Sequence, residues 1–259
     1  MRAAVIGDIH ANLPALLAVL EHARSQSIDE IWNIGDSTGY GAFPEEVIRF
    51  LMESEIISIQ GNYDAKVLNF KHKKEKWKKN KLPEKWLAFK FAYEQLSTPG
   101  RLYLQSLPQE ITLEREGKRL LLTHGSPGAP EEHLTPETPQ SRLREIARKT
   151  PADIILCGHS HIPFTRVCDN TWFINTGSVG RPDDGDARAS YVIVELSPKR
   201  ITTIHYRIPY DVGQAVNAIR EHNLPEAFAQ MTLRGYSLEE ILRQNQVSAA
   251  TTSEDLDSP

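Results

Sequence analysis

Apolar residues along the chain form short continuous runs that alternate with stretches in which they recur every three or four positions. Short runs are typical of buried strands, and the three-to-four spacing is typical of amphipathic helices. In the first part of the chain the predicted elements are strands at residues 3–6, 31–34 and 56–59 and helices at 13–25 and 44–52. Because strands that alternate with helices build βαβ units, this part predicts a parallel sheet.

After residue 110 the pattern changes to period two, with single helices between pairs of strands. Alternation around a short turn is typical of a β-hairpin. The predicted elements are hairpins at 111–122 and 164–174, strands at 153–157, 191–195 and 201–207, and helices at 140–149, 212–223 and 238–243. We expect one α/β domain over residues 1–245 and a disordered polar tail over 246–259.

The stretch from Asp64 to Leu96 interrupts this rhythm. Within it, residues 71–81 carry seven lysines and one glutamate. One interpretation is a solvated helical face or a mobile loop. The other is a basic lid that draws polyanions, including polynucleotides, toward a nearby site. Trp77 and Trp86 fit either stacking on a nucleic-acid single strand or packing of a helical cap on the domain.

Polar side chains follow the ends of several predicted strands. The first three strands end in Gly-Asp, Gly-Asp and Gly-Asn, and later strands end in Thr-His-Gly and Gly-His-Ser-His. These polar residues are Asp8, His10, Asp36, Asn62, His124, His159 and His161. Ligands bind at the carboxyl ends of strands in open α/β sheets, so we expect these side chains to converge. Carboxylate and imidazole together suit Mn, Fe or Zn, and the pattern predicts a metal site.

Composition narrows the class of protein. The chain has 259 residues, a formal net charge of −4 and two cysteines, Cys157 and Cys168. The overall charge does not indicate nucleic-acid or membrane binding. The cysteines form neither a metal-type spacing nor a disulfide framework, which favours the cytoplasm. We expect no signal peptide and no membrane span, because the apolar runs are too short.

The order of the polar motifs resembles that of the calcineurin-like metallophosphoesterase superfamily. The family signature is met here as GDIH, GDSTGYG, GNYD, THGSP and GHSH, in that order. The stretch NTGSVGRPDDGDARASYVIVE is similar to the compact bacterial and archaeal branch, which includes phosphodiesterases and phosphatases. The resemblance implies an α/β fold, namely a four-layer αββα sandwich of two mixed sheets with a helical insertion at about 65–98.

The resemblance also implies two divalent metal ions, with Mn²⁺ as the first choice and Fe, Zn²⁺ or Ni²⁺ as alternatives. The first ion would take Asp8, His10, Asp36 and His161. The second would take Asp36, Asn62, His124 and His159, with Asp36 shared. Two such cations clamp a phosphate, and a bridging water loses a proton to become the nucleophile.

One departure from the family pattern concerns catalysis. Where the family has Gly-Asn-His, whose histidine helps to protonate the leaving oxygen, this chain has Tyr63. Tyrosine, with an ordinary pKa of about 10, donates a hydrogen bond at pH 7 but is a poor general acid. We therefore expect a preference for leaving groups that need little protonation, as in aryl phosphodiesters. The alternative is that Tyr63 only packs and orients Asn62. Asp64 is a candidate for orienting a histidine, but its usual partner is the missing one.

Two candidate anion-binding residues and one loop remain to be assigned. Asn12 and Arg181 are candidate anion contacts beside the site, and Arg181 fits a surface ion pair equally well. The loop after Asp36 has Gly39-Tyr40-Gly41 where protein serine/threonine phosphatases have Asp-Arg-Gly. That difference argues against a protein phosphatase and against the symmetrical dinucleoside tetraphosphatases.

The leading hypothesis is a dinuclear metal-dependent phosphodiesterase acting on small or nucleotide phosphate esters. A phosphomonoesterase with the same metal site is the first alternative. A metal-binding interaction scaffold without catalysis is the second, although such relatives usually lose ligands and all seven are present here. A nuclease is the third, suggested by the basic segment 71–81.

Overall fold

Two five-stranded mixed sheets pack face to face, with helices on their outer faces. The computed structural model describes residues 1–254, and side chains as far as residue 247. The strands are β1 (Arg2–Ile6), β2 (Glu30–Asn33), β3 (Ile57–Ser58), β4 (Glu110–Arg115), β5 (Lys118–Thr123), β6 (Ile154–Cys157), β7 (Phe164–Cys168), β8 (Thr171–Asn175), β9 (Ala189–Ser197) and β10 (Arg200–Ile208). The predicted α/β class and four-layer sandwich are confirmed.

Helices connect and cover these strands. They are α1 (Leu13–Ser25), α2 (Pro44–Met52), α3 (Asn62–Asn80), α4 (Pro83–Gln95), α5 (Thr98–Ser106), α6 (Gln140–Lys149), α7 (Val212–Glu221), α8 (Glu226–Arg234) and α9 (Leu238–Glu254). Among residues 1–254, none of the helices has the length and apolar character of a membrane span.

Each sheet contains three adjacent parallel strands. The first sheet has the order β10-β9-β1-β2-β3, with β1, β2 and β3 parallel and β9 and β10 antiparallel. The second has the order β4-β5-β6-β8-β7, with β5, β6 and β8 parallel between antiparallel edges. The predicted βαβ units are therefore present, and the parallel strands of each sheet send their carboxyl ends to a common edge.

Strand β1 is apolar throughout because both of its faces are buried. Ala3 and Val5 pack between the two sheets, together with Trp32. Ala4 and Ile6 face the other way and pack in the helix-side core. A strand covered on both faces needs a continuous apolar run rather than alternation, which is the pattern that the sequence has here.

The predicted helical insertion corresponds to most of α3 and α4. The lysines at 71, 73, 74, 76, 78 and 79 are all exposed. The aromatic side chains face inward instead: the rings of Trp77 and Phe89 lie 5.3 Å apart, and Trp86 Nε1 donates to the carbonyl of Lys74 at 3.0 Å. The basic segment is therefore a solvated helical face, and its aromatics pack the helical cap.

The C-terminal part departs from the predicted elements. Helix α8 was not predicted, because half of its buried residues are alanines, which weaken the periodic signal; the buried residues are Ala227, Phe228, Ala229 and Met231. It ends at Gly235, whose φ of +66° suits glycine. Helix α9 is longer than predicted and overlaps the predicted tail over 246–254. Residues 255–259 of that tail lie outside the described residues.

Candidate metal centre

The structure brings the strand-end residues together into two buried clusters. One consists of Asp8, His10 and His161, and the other consists of Asp36, His124 and His159. Within each cluster the potential ligand atoms all lie within 4.8 Å of one another. Each cluster contains three of the four residues that the family resemblance implies for one ion.

Asp36 lies between the clusters. Its Oδ2 atom is 3.3 Å from His124 Nε2 in one cluster and 3.9 Å from His10 Nε2 in the other. His161 Nε2 lies 3.1 Å from Asp8 Oδ1, and His10 Nε2 lies 3.2 Å from His161 Nε2. One carboxylate oxygen therefore reaches both groups of imidazoles, as a bridging ligand must.

Asn62 joins the second cluster from the N-terminus of α3. Its Oδ1 atom lies 3.2 Å from His124 Nε2. Helix α3 begins directly after Gly61, so the chain turns from the end of β3 into the helix at the site itself. All seven predicted ligands are thus at the same edge of the sandwich.

Hydrogen bonds set the orientation of the imidazoles. The Nδ1 atoms of His10 and His124 lie 3.2 Å and 3.0 Å from the carbonyl oxygens of Thr38 and Ile34. A carbonyl only accepts, so each Nδ1 donates its proton to a carbonyl and the Nε2 atom is the one directed at the cluster. That arrangement is the one required for metal binding through Nε2.

The donor set fits a cation in a second respect. Asp8 Oδ1 is buried and faces imidazole nitrogens of both clusters, the nearest of which is His161 Nε2 at 3.1 Å. In that position the carboxylate oxygen and the imidazoles can share a cation, which offsets the cost of burying the carboxylate. The residues present therefore fit two divalent metal ions of the Mn, Fe or Zn type.

Burial and neighbouring charges perturb the titration of these groups. Burial lowers the pKa of His10 to about 3 and that of His159 to about 4. Burial alone would also lower the pKa of His124, but the carboxylate of Asp36 raises it to about 9. His161 behaves in the same way, since Asp183 outweighs burial and raises its pKa to about 9. The carboxylates thus make the clusters attractive to positive charge.

The backbone at the clusters is strained. Five ligand residues have φ between +48° and +63°, the left-handed region that non-glycine residues rarely adopt: Asp8, His10, Asp36, His159 and His161. Strain of this kind persists where the surrounding structure enforces it, often at functional sites. Close approach adds to the constraint, because a Cβ on Gly158 would lie 2.3 Å from Asp8 Oδ2.

Tyr63 lies on the wall of the metal-site cavity. Its backbone N–H donates to Asp36 Oδ1 at 2.7 Å, and its hydroxyl pairs with that of Tyr40 at 2.7 Å. Its ring packs edge-on against His10, with centroids 5.3 Å apart. Burial, followed by the neighbouring Tyr40, raises the pKa of Tyr63 well above its ordinary value. The hydroxyl is therefore protonated at neutral pH.

Asp64 holds backbone rather than a histidine. Its carboxylate accepts hydrogen bonds from the N–H groups of Ser37, Thr38 and Gly61 at 3.0–3.2 Å, and from the Thr38 hydroxyl at 2.8 Å. Burial raises the pKa of Asp64 to about 6. The predicted histidine-orienting role has no contact to support it among the described residues; Asp64 ties the loop after Asp36 to the start of α3.

The two candidate anion contacts differ in their surroundings. Asn12 caps α1 through Oδ1, and its Nδ2 donates to the Gly180 carbonyl at 3.0 Å and to the Tyr210 hydroxyl at 3.2 Å. Both of its amide protons are therefore used within the protein, and anion binding by Asn12 gains no geometric support. Arg181 lines the metal-site cavity and pairs with Asp183 at 2.7 Å. The ion pair is present, but at the cavity wall rather than on the outer surface.

Sequence reasoning missed several residues of the cavity. Asp183 Oδ2 lies 2.9 Å from His161 Nδ1 and also holds Arg181. His133 lies against the ligand His159, with ring centroids 4.2 Å apart. The C-terminal helices, to which the sequence assigned no chemistry, place Glu239 on the cavity wall. Of these residues, only Asp183 could have been found from the sequence, because it lies two positions after Arg181 in the stretch NTGSVGRPDDGDARASYVIVE, which is similar to the family.

Replacing Asp183 with Ala is expected to weaken metal binding by about 10–100-fold, because His161 loses the carboxylate that lies 2.9 Å from its Nδ1 and helps to hold the ring. Titration of the metal-stripped protein with Mn²⁺ in a calorimeter measures this directly. Asp186→Ala is the matched control, since Asp186 is paired with Arg188 away from the clusters. Mn²⁺ affinity equal to that of the wild type in a folded Asp183→Ala protein would contradict the orienting role.

Comparison with known proteins places this site in a family. The family model described as the calcineurin-like phosphoesterase superfamily domain matches residues 1–199. The uncharacterized protein MJ0912 of Methanocaldococcus jannaschii is 32% identical over 249 residues, which cover 90% of this chain and 97% of that protein. Phosphodiesterase YfcE of Escherichia coli is 26% identical over 205 residues, or 75% of this chain and 88% of the relative.

A solved structure agrees with these sequence relatives. The crystal structure of a metallophosphoesterase from Sphaerobacter thermophilus has a TM-score of 0.75 and 28% sequence identity, and the match covers 91% of this chain and 99% of that one. Sequence, fold and ligand clusters lead to the same assignment: the chain belongs to the calcineurin-like phosphoesterase superfamily.

Proposed function

We propose that the protein is a dinuclear metal-dependent phosphoesterase that prefers phosphodiesters with small or nucleotide arms. The observation that carries the proposal is the position of Asp36 Oδ2, within 3.9 Å of imidazoles from both ligand clusters. The clusters open onto one cavity of about 420 Å³, which is of a size for a small substrate.

Two metal ions at these clusters supply Lewis-acid polarisation of a phosphate and a water of lowered pKa. The ligands would be Asp8, His10, Asp36 and His161 for one ion and Asp36, Asn62, His124 and His159 for the other. Mn²⁺ is the proposed ion. Fe, Zn²⁺ and Ni²⁺ are alternatives, because a mixed set of carboxylate, amide and imidazole ligands binds all of these metals.

Side chains of the cavity wall complement a phosphate. The Arg181 guanidinium stacks on the Tyr40 ring at 4.6 Å, and its pairing with Asp183 fixes it in place. Planar guanidinium groups bind phosphate oxygens well, so Arg181 is the proposed anion contact. The Lys66 ammonium lies on the same wall, where it is paired with Glu131 at 2.6 Å.

The preference for diesters rests on Tyr63. Its hydroxyl is held by Tyr40 and keeps its proton at neutral pH, so it orients groups by hydrogen bonding and transfers a proton poorly. Leaving groups that need little protonation, such as aryl alcohols, fit such a site. The name of the relative YfcE, a phosphodiesterase, supports the same choice.

The test is hydrolysis of bis-p-nitrophenyl phosphate compared with p-nitrophenyl phosphate by the Mn²⁺-loaded protein. We expect a higher kcat/KM for the diester. Tyr63→His is expected to shift the ratio toward the monoester by about tenfold, because histidine supplies a general acid. Tyr103→His, on α5, is the control and should leave the ratio unchanged. If Tyr63→His left the ratio of diester to monoester kcat/KM unchanged, the leaving-group explanation would be wrong. A monoester preference in the wild type would favour the phosphomonoesterase alternative.

A nuclease has less support. The lysines of 71–79 form an exposed helical face, and Trp77, the aromatic residue among them, packs its ring against Phe89 of the helical cap. The cytoplasmic location and the small-substrate partner remain predictions from the sequence.

A further inference from the structure

A second cavity, of about 350 Å³, adjoins the metal-site cavity. Asn62, Lys66 and Glu131 line both cavities. Lys66 Nζ lies 2.6 Å from Glu131 Oε1, so this ion pair marks the boundary between them. A molecule bound at Asn62, a candidate metal ligand, would therefore lie at the entrance to the second cavity.

We call the second cavity the α3 groove; its walls are Ala65, Asn69, Lys73 and Trp77 on α3, with Gln109 and Pro130 opposite. The four α3 residues recur every four positions, so they form one face of the helix. The indole and the proline ring are apolar, and Asn69 and Gln109 carry amides. Asn69 Nδ2 donates to the Ala65 carbonyl at 2.8 Å, which leaves its second N–H and its oxygen for a ligand.

We propose that the α3 groove holds the nucleoside arm of a phosphodiester whose phosphate lies at the metal clusters. The inference rests on the proposed function and names the substrate class. A diester carries two organic arms on one phosphate, and the site needs room for both. The groove supplies room for one arm beside Asn62.

The chemistry of the walls favours a nucleoside over a plain alkyl arm. A nucleobase has apolar faces and a polar edge, which match the apolar rings and the amides of the groove. The Lys66 ammonium at the boundary is paired with Glu131, and its remaining N–H groups can donate to a phosphate oxygen. Lys73, exposed at the groove, adds positive charge on the same helix face.

The experiment compares two substrates with the same leaving group and charge: p-nitrophenyl thymidine 5′-phosphate and p-nitrophenyl methyl phosphate. Asn69→Trp fills the groove, and Lys71→Trp adds the same bulk to an exposed position of α3 outside the groove. We expect Asn69→Trp to lower kcat/KM for the thymidine ester by about tenfold or more and to change kcat/KM for the methyl ester by less than about twofold. Lys71→Trp should change kcat/KM by less than about twofold for both esters. Thermal melting confirms that both variants are folded.

Binding gives a second readout that needs no catalysis. Calorimetric titration of the Mn²⁺-loaded protein with thymidine 5′-monophosphate should show binding by the wild type and Lys71→Trp and weaker binding by Asn69→Trp. Equal effects of Asn69→Trp on both esters, or no effect on either, would overturn the groove assignment. If the wild type hydrolyses neither ester, the proposed function fails and the titration alone tests the α3 groove. Binding that is weakened in Asn69→Trp would then support the groove assignment, and any other titration result would overturn it.

Discussion

Replacing Asp36 with Asn is expected to reduce kcat for bis-p-nitrophenyl phosphate by about a thousandfold, equivalent to about 4 kcal/mol of transition-state stabilisation. The reason is the position of Asp36 Oδ2, which lies near imidazoles of both ligand clusters. Asparagine would replace the negative carboxylate at this position with a neutral amide. An asparagine keeps an oxygen to accept the N–H of Tyr63, so the fold should persist. Steady-state kinetics and metal analysis of the purified variant measure the effect.

Asp169→Asn is the matched control for this change. Asp169 is an exposed carboxylate 3.4 Å from Arg144, on the second sheet's side of the molecule, and its loss should alter neither activity nor metal content. A folded Asp36→Asn protein that retains two bound ions and most of its activity would contradict the bridging role of Asp36.

Replacing Gly61 with Ala is expected to have the second-largest effect. A Cβ at this position would lie 2.1 Å from both the backbone nitrogen and Oδ1 of Asp36, so the bridging carboxylate must move. Overpacking of this kind destabilises by about 1–3 kcal/mol. We expect a drop of several degrees in Tm and a loss of kcat of about a hundredfold or more, since small displacements at a catalytic group are costly.

Gly117→Ala is the control for Gly61→Ala, because it adds a methyl group that touches no neighbouring atom and displaces no residue of the site. Gly117 has a φ of +70°, and no atom lies within 4 Å of its added Cβ, so the cost is backbone strain alone. This variant should lose about 1 kcal/mol of stability and no activity. If Gly61→Ala were as active as Gly117→Ala, the close packing against Asp36 would have no catalytic consequence.

The sequence predicted which residues converge at the site because each of them lies next to a local signal. An apolar run followed by Gly-Asp or Gly-Asn marks a strand end, and the parallel topology then brings Asp8, Asp36 and Asn62 to one edge. Helix α2 was predicted to its ends because Pro44 starts it and its apolar residues keep strict periodicity. Local patterns of this kind need no knowledge of distant contacts.

Residues that act through tertiary packing were not predictable in the same way. The position of Glu239 in the cavity depends on how α9 packs, and its contact with Lys85 joins α9 to α4. Asp64 was assigned to a histidine by analogy, whereas its four hydrogen bonds run to the loop after Asp36 and to Gly61. No periodicity or spacing in the sequence reports such contacts.

The most direct test of the dinuclear phosphodiesterase is a titration of metal-stripped protein with Mn²⁺, in which bound metal and bis-p-nitrophenyl phosphate hydrolysis are measured on the same samples. Two ions per chain, with activity that rises as the second ion binds, is the predicted result. A single ion per chain at saturation, or two bound ions with no hydrolysis of the diester, would contradict it.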